Sequence, residues 1–210
     1  MLFRSQPKSM VIIGAGAIGV EFAYIYNAFG TKVTMIEMMP QLVPVEDDDI
    51  GEALKKSFVR AGIKCLTDTK VTASEDRGDS VSITVENAKG SETIEADVCL
   101  VAIGVVPVLP GGKLPEFTDR GWIQIGDRYQ TSTPDLYAIG DIAGPPWLAH
   151  TAMYEAVQCV EGLFVDGVEP KRVDVFPGCT YCYPEIASVE KTERALQKEG
   201  VAYKVGKFPY

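Results

Sequence analysis

Residues 10–19, Met-Val-Ile-Ile-Gly-Ala-Gly-Ala-Ile-Gly, constrain the fold more than any other stretch of the chain. The apolar run Met10 to Ile13 reads as a buried parallel strand. Gly14, Gly16 and Gly19 follow as G-x-G-x-x-G, and an amphipathic helix begins at once. In such a turn the first glycine permits the tight exit from the strand. The second leaves room for a pyrophosphate against the backbone, and the third lets the helix lie close on the sheet. The helix start, with Ala17 and Ile18, presents free N–H groups and the positive end of the helix dipole, which suits a diphosphate. Glycine-rich strand-to-helix turns also serve packing alone, so the context decides.

That context is a second strand, Lys32 to Ile36, ending in Glu37. A carboxylate roughly 20 residues past the glycines, at a strand end, accepts both hydroxyls of an adenosine ribose and repels a 2′-phosphate. Met38, Met39 and Pro40 follow, with no Arg, so the expected cofactor is NAD rather than NADP. The alternative for Glu37 is a solvated strand-end acid. Between these strands, residues 17–29 are helical by period, with Gly30 as the stop. Glu21 lies in the second turn, where it either reaches the nicotinamide end of a dinucleotide or is a surface acid.

Asp47-Asp48-Asp49 leads a second helix, about 47–61, which Gly62 ends. Acids in a first turn complement the dipole, and no further ligands stand near them, so no metal site is expected. From Lys64 to Ala96 the period becomes two. Val71, Val81–Val85 and Thr93–Ala96 read as antiparallel strands joined at Asp76–Asp79 and Asn87–Gly90. Asp97–Val101 returns as an apolar strand, leading to Gly104, where a cofactor ring can approach. Residues 108–130 are loop-rich. Leu136–Ile139 reads as a strand that delivers Gly140 and Asp141 to its end. There Asp141 either binds a sugar or ribitol hydroxyl or caps the next helix. Leu148, Ala149 and His150 open a helix over roughly 149–163, whose N-terminus suits a flavin pyrimidine edge.

His150 is the only histidine. Cap or packing residue is the ordinary role at a helix start, and no Ser-His-Asp or zinc constellation exists without it. Cys179-Thr-Tyr-Cys182 is C-x-x-C, but it lies in a strand-like run, where positions i and i+3 face opposite ways. No second pair accompanies it. Thr192–Glu199 is a charged helix closed by Gly200, and Tyr203–Val205 reads as the start of a strand.

A net charge of −9 over 210 residues excludes a basic surface for nucleic acid or an anionic membrane. No apolar run reaches the length of a membrane span. Five Cys, an odd number at irregular spacing, fit free thiols in a reducing, cytoplasmic setting.

Together these residues resemble the flavin- and NAD-dependent disulfide reductases. The similarity is strongest to the members that oxidise dihydrolipoamide. It rests on Val11–Phe22, Val33–Glu37, Ala102–Gly104 with Pro107, Thr133–Asp141, Leu148–His150 and Tyr183–Val189, in family order. The resemblance implies an α/β fold: a Rossmann-like NAD-binding domain (10–125) with an inserted antiparallel meander. Part of an FAD-binding domain (126–170) and the opening of a dimer-interface domain (171–210) would follow. Gly14, Gly16 and Gly19, with Ala17 and Ile18, would hold the NAD diphosphate, and Glu37 its ribose. Glu21 and Gly104 would lie near the nicotinamide. Asp141 would bind the FAD ribitol, with Leu148, Ala149 and His150 near the flavin.

The family's first FAD-binding glycine motif, its C-x-x-x-x-C redox pair and its C-terminal His-Glu pair are absent from this chain, and Val105 stands where members often have Arg. No catalytic residue is therefore expected here. The chain reads as a central portion of a larger NAD-linked flavoprotein, in which dithiol electrons pass through FAD to NAD. A homodimer and a lipoamide-bearing protein substrate are implied. An NADH oxidase, a mercuric reductase or a non-catalytic NADH-binding module remain alternatives. Residues from about 170 onward are expected to pack loosely.

Overall fold

A computed structural model describes residues 5–172 and 175–208. The chain divides into two compact units. The first holds the residues up to Gly104 together with those from Cys179 onward, and the second holds Val105–Gly178. This division by compactness falls at other positions than the expected spans 10–125, 126–170 and 171–210, and it assigns them no function.

The first unit is built on a four-stranded sheet of order β3-β2-β1-β7. Its strands are β1 (Ser9–Ile13), β2 (Lys32–Ile36), β3 (Lys64–Leu66) and β7 (Val98–Val101). All neighbours are parallel. The connections are helices: α1 (Ala17–Ala28) joins β1 to β2, and α2 (Asp48–Arg60) joins β2 to β3. Between β3 and β7 the meander β4 (Lys70–Asp76), β5 (Val81–Asn87) and β6 (Gly90–Ala96) forms its own antiparallel sheet. The expected α/β class, a parallel sheet with helices plus an antiparallel insertion, is what the chain adopts.

Both faces of β1 are covered, which explains its unbroken apolar run. Met10 and Ile12 face the helices and join Val20, Ala23, Leu54 and Phe58 in one core. Val11 faces the other way and packs with Ile83, Val85 and Ala96 of the meander. The sheet is thus the middle of three layers. Its lower edge is tied by Asp97, whose carboxylate accepts the Lys8 and Ser9 N–H groups at 2.6 and 3.0 Å. Those backbone bonds, Ser9 first, hold the Asp97 carboxyl below its ordinary range. The native state therefore binds this proton less tightly than the unfolded chain. The contribution is complete above the unfolded value of about 3.9 and is lost as pH falls through the lowered native one. The stability gap between the parent chain and Asp97→Asn is expected to narrow from pH 5 towards pH 3 in urea unfolding. A gap that widens would contradict the linkage.

In the second unit the regular elements are a 3-10 turn (Gly140–Ala143) and α3 (Ala149–Phe164). Leu136–Ile139 is not a strand, contrary to expectation. Asp135 and Gly140, both at positive φ (59° and 67°), bracket a run that pairs only once, Tyr137 with Gln130. The remaining elements are β8 (Pro177–Thr180), β9 (Ile186–Val189) and α4 (Glu193–Glu199). Thr192 caps α4 by accepting the Ala195 N–H, and Gly200 closes it in the left-handed region. Tyr203–Val205 forms no strand, because no described strand pairs with it.

The segment from Cys179 onward, expected to pack loosely, places two side chains in the core. Cys182 and Ile186 are 4% and 8% exposed and sit in the same core as Met10 and Leu54. Sequence alone missed this because the partners are far apart in the chain.

Candidate functional site

In the first unit the strand order reverses at β1, which lies between β2 and β7. In open α/β sheets the crevice at the carboxyl edge of such a switch point is where ligands bind. Ile13 is in register with Ile36 on one side and Val101 on the other. The residues that follow these three strands, Gly14, Glu37 and Ala102–Gly104, therefore share one edge.

The turn from β1 into α1 is packed from below and open above. Gly14 has φ +99°, and a Cβ there would meet the Ala102 carbonyl. A Cβ on Gly19 would meet the carbonyl oxygen of Gly14. A Cβ on Gly16 would meet nothing within 4 Å. Gly14 and Gly19 are thus glycine because protein is in the way, and Gly16 borders free space. At α1 the N-cap is Gly16, no side chain caps the helix, and no acid stands in the first turn. The N–H groups of Ala17 and Ile18 have no intrahelical acceptor. Helices α2 and α4 carry acids in their first turns, whereas α1 and α3 carry none. The two helices expected to face a cofactor are the two with bare, positive N-termini.

Glu37 is 9% exposed. One carboxylate oxygen accepts the Ala15 N–H at 2.7 Å and the other the Met39 N–H at 2.8 Å. A carboxylate has about four acceptor positions, so each oxygen keeps one for a ligand hydroxyl. The Ala15 carbonyl in turn accepts the Val43 N–H at 2.7 Å. Ala15 is the residue that sequence reading passed over: both its backbone groups brace the glycine turn. Glu21 is half-buried on α1, and its Oε1 accepts the Tyr181 N–H at 2.8 Å. Tyr181 had no signal in the sequence. Gly104 has no atom within 4 Å of a Cβ position.

Asp141, Leu148, Ala149 and His150 belong to the second unit. Asp141 is exposed in the 3-10 turn, and its carboxylate takes no hydrogen bond among the described residues. The turn is held by Glu155 of α3, which accepts the Gly140 N–H at 2.7 Å. Sequence reading did not single out Glu155, which stands four residues from both Thr151 and Cys159, the buried residues of α3. His150 donates Nε2–H to the Pro177 carbonyl at 3.0 Å, which ties its ring to the segment after α3. A cavity of about 500 Å³ opens at this helix start, lined by His150, Thr151, Tyr154, Lys171, Arg172 and Phe176 among others. The Thr151 hydroxyl is buried without a hydrogen-bond partner among the described residues.

All five cysteines are free. Cys182 donates to the Pro184 carbonyl at 3.1 Å, and burial pushes its thiol up to about 11, aided by Glu21 and Glu185. Cys65 is likewise pushed up to about 11 by burial. A thiol that is almost wholly protonated at pH 8 reacts slowly. Iodoacetamide at pH 8 is expected to label Cys179 before Cys182. The reverse order, read by mass spectrometry, would reopen a redox role for the pair. Among the described residues no three His, Cys, Asp or Glu side chains gather to hold a metal ion.

The sequence pattern described as pyridine nucleotide-disulphide oxidoreductase matches residues 2–156. The chain belongs to that family. It is 41% identical over 211 residues to dihydrolipoyl dehydrogenase 2 (mitochondrial) of Arabidopsis thaliana, covering 97% of this chain and 41% of that protein. It is also 41% identical to the dihydrolipoyl dehydrogenase of Rhizobium etli, covering 97% of this chain and 44% of that one. The chain thus spans less than half the length of these curated relatives. Among solved structures it resembles the HOCl-induced flavoprotein disulfide reductase RclA of Escherichia coli. There the TM-score is 0.82 at 23% identity, over 95% of this chain and 46% of that one. LpdA of Mycobacterium tuberculosis gives 0.79 at 25%, over 94% and 43%. These likenesses agree with the Rossmann-like reading of the fold.

Proposed function

We propose that this chain is the NAD(H)-binding portion of an FAD-dependent disulfide oxidoreductase, of the dihydrolipoamide dehydrogenase type. The reading rests on one observation above the rest: the glycine turn at the switch point of the sheet, with room at Gly16, uncapped N–H groups at Ala17 and Ile18, and Glu37 beside it. In this reading Gly14, Gly16, Ala17, Ile18 and Gly19 cradle the diphosphate. Glu37 takes the ribose hydroxyls, and Glu21 and Gly104 flank the nicotinamide. The bare α3 start at Leu148, Ala149 and His150 and the unengaged Asp141 fit one part of an FAD site. Residues 10–125 are the NAD domain, 126–170 the FAD segment, and 171–210 the opening of an interface domain through which the protein pairs as a homodimer.

When bound, FAD and NAD carry the electron pair taken from a dithiol, so that dihydrolipoamide and NAD⁺ give lipoamide, NADH and a proton. This chain's residues bind and orient, and the dithiol chemistry lies outside it. A lipoamide-bearing protein is the proposed donor. Five free cysteines fit a reducing compartment, and the cytoplasm is the proposed setting.

The test is an NADH titration followed by nicotinamide fluorescence. The chain is expected to bind NADH more tightly than NADPH. Gly16→Ala is expected to lose about 100-fold in NADH affinity, as a methyl enters the diphosphate path. Its melting temperature should be unchanged, because the methyl meets no protein atom. Equal NADH affinity in Gly16→Ala would overturn the assignment.

A further inference from the structure

The acids from Glu46 to Asp49 all point to one partner. Glu46 Oε1 accepts the Ser188 hydroxyl at 3.1 Å, and Asp47 Oδ1 accepts the Glu193 N–H at 2.7 Å. Arg194 donates to the Pro44 and Glu46 carbonyls, both at 2.6 Å, and pairs with Asp48 at 3.2 Å. Lys207 pairs with Asp49 at 2.6 Å. The run is therefore neither a metal site nor merely a helix-dipole device. It is a docking strip for the segment after Gly178. Single exposed ion pairs contribute little. This strip works because it combines them with two buried apolar anchors, Cys182 and Ile186.

The docked segment touches α1, and the loop it docks on touches the glycine turn. At one end the Tyr181 N–H holds Glu21 Oε1 at 2.8 Å, and the other oxygen takes no hydrogen bond among the described residues. At the other end the loop carrying the acids is bonded to the glycine turn, through Val43 N–H to the Ala15 carbonyl at 2.7 Å. A flexible Glu on a helix surface samples several rotamers, and fixing one costs side-chain entropy at the moment of binding. A carboxylate already held by a backbone N–H has met that cost on folding.

We infer that the segment 179–194 is a positioning element for the dinucleotide: it fixes the Glu21 carboxylate so that its free oxygen meets the carboxamide of the nicotinamide. This rests on the NAD(H) reading above. Tyr181 acts through its backbone, and Arg194 and Ile186 act by holding the segment in place.

The full chain is titrated with NADH and with ADP-ribose, which lacks the nicotinamide. Arg194→Ala and Ile186→Ala are expected to weaken NADH by about five-fold, the worth of one hydrogen bond. ADP-ribose binding should change less than two-fold. In a Glu21→Ala background the same substitutions should change neither ligand, since the group they position is gone. Arg194→Lys, which keeps the charge but lacks the second nitrogen that pairs with Asp48, should fall between. If Ile186→Ala does not fold, Arg194→Ala carries the test. Equal losses for both ligands, no loss for either, or a loss that persists without Glu21 would each overturn the positioning role. A parent chain that binds neither NADH nor ADP-ribose would remove the NAD(H) reading itself, a different failure from these.

Discussion

Gly19→Ala is expected to destabilise the chain by about 3 kcal/mol or more, lowering its melting temperature by roughly 6–12 °C. Two effects oppose each other here. Gly19 lies inside α1, where helix propensity favours Ala by about 1 kcal/mol. Against that, the added Cβ would overlap the Gly14 carbonyl oxygen, with Ile12 Cγ2 also within 3.4 Å. The obstacle is backbone, which has no rotamer to change. Relief requires α1 to lift from the sheet, opening the contacts of Val20 and Ala23, both fully buried. Sterics win. Thermal unfolding by circular dichroism reads the result, and a melting temperature at or above the parent's would show that α1 does not lie as close as described.

Glu37→Arg carries the second large effect. Two terms act on binding. The Arg can accept no hydrogen bond, so the ribose hydroxyls lose their charged partner, worth about 1.5–3 kcal/mol. A positive charge also now attracts a 2′-phosphate instead of repelling it. The ratio of NADH to NADPH affinity is expected to fall by about 100-fold or more. The variant also leaves the Ala15 and Met39 N–H groups without their acceptor, so some loss of stability accompanies the switch. Glu37→Gln keeps one acceptor oxygen and removes the repulsion without adding a positive charge, so it should lose NADH affinity and gain NADPH affinity less than Glu37→Arg does. An unchanged ratio in Glu37→Arg would remove Glu37 from the ribose site.

The elements that frame the candidate site were legible in the sequence because their signals are local. The strand run Met10–Ile13, the spaced glycines and the acid after the second strand each need only a window of residues. The period-two meander and the helix stops at Gly30, Gly62 and Gly200 were local too. Tertiary relations were not legible. Leu136–Ile139 has the composition of a strand but forms one bridge among the described residues, Tyr137 with Gln130. Tyr203–Val205 has the composition but pairs with no strand among the described residues. Asp47–Asp49 looked like dipole acids because their partners, from Glu193 to Lys207, lie far along the chain with no matching pattern. For the same reason the segment after Gly178, which looked loose, lies against the core at Cys182 and Ile186.

The central claim is that the backbone at the start of α1 holds the diphosphate of NADH. The most direct measurement follows the amide resonances of the chain by NMR as NADH is added. The account predicts that Gly16, Ala17 and Ile18 shift most and saturate together, with Ala15 and Met39 following through Glu37. Shifts confined to other residues, or none at millimolar NADH, would contradict it.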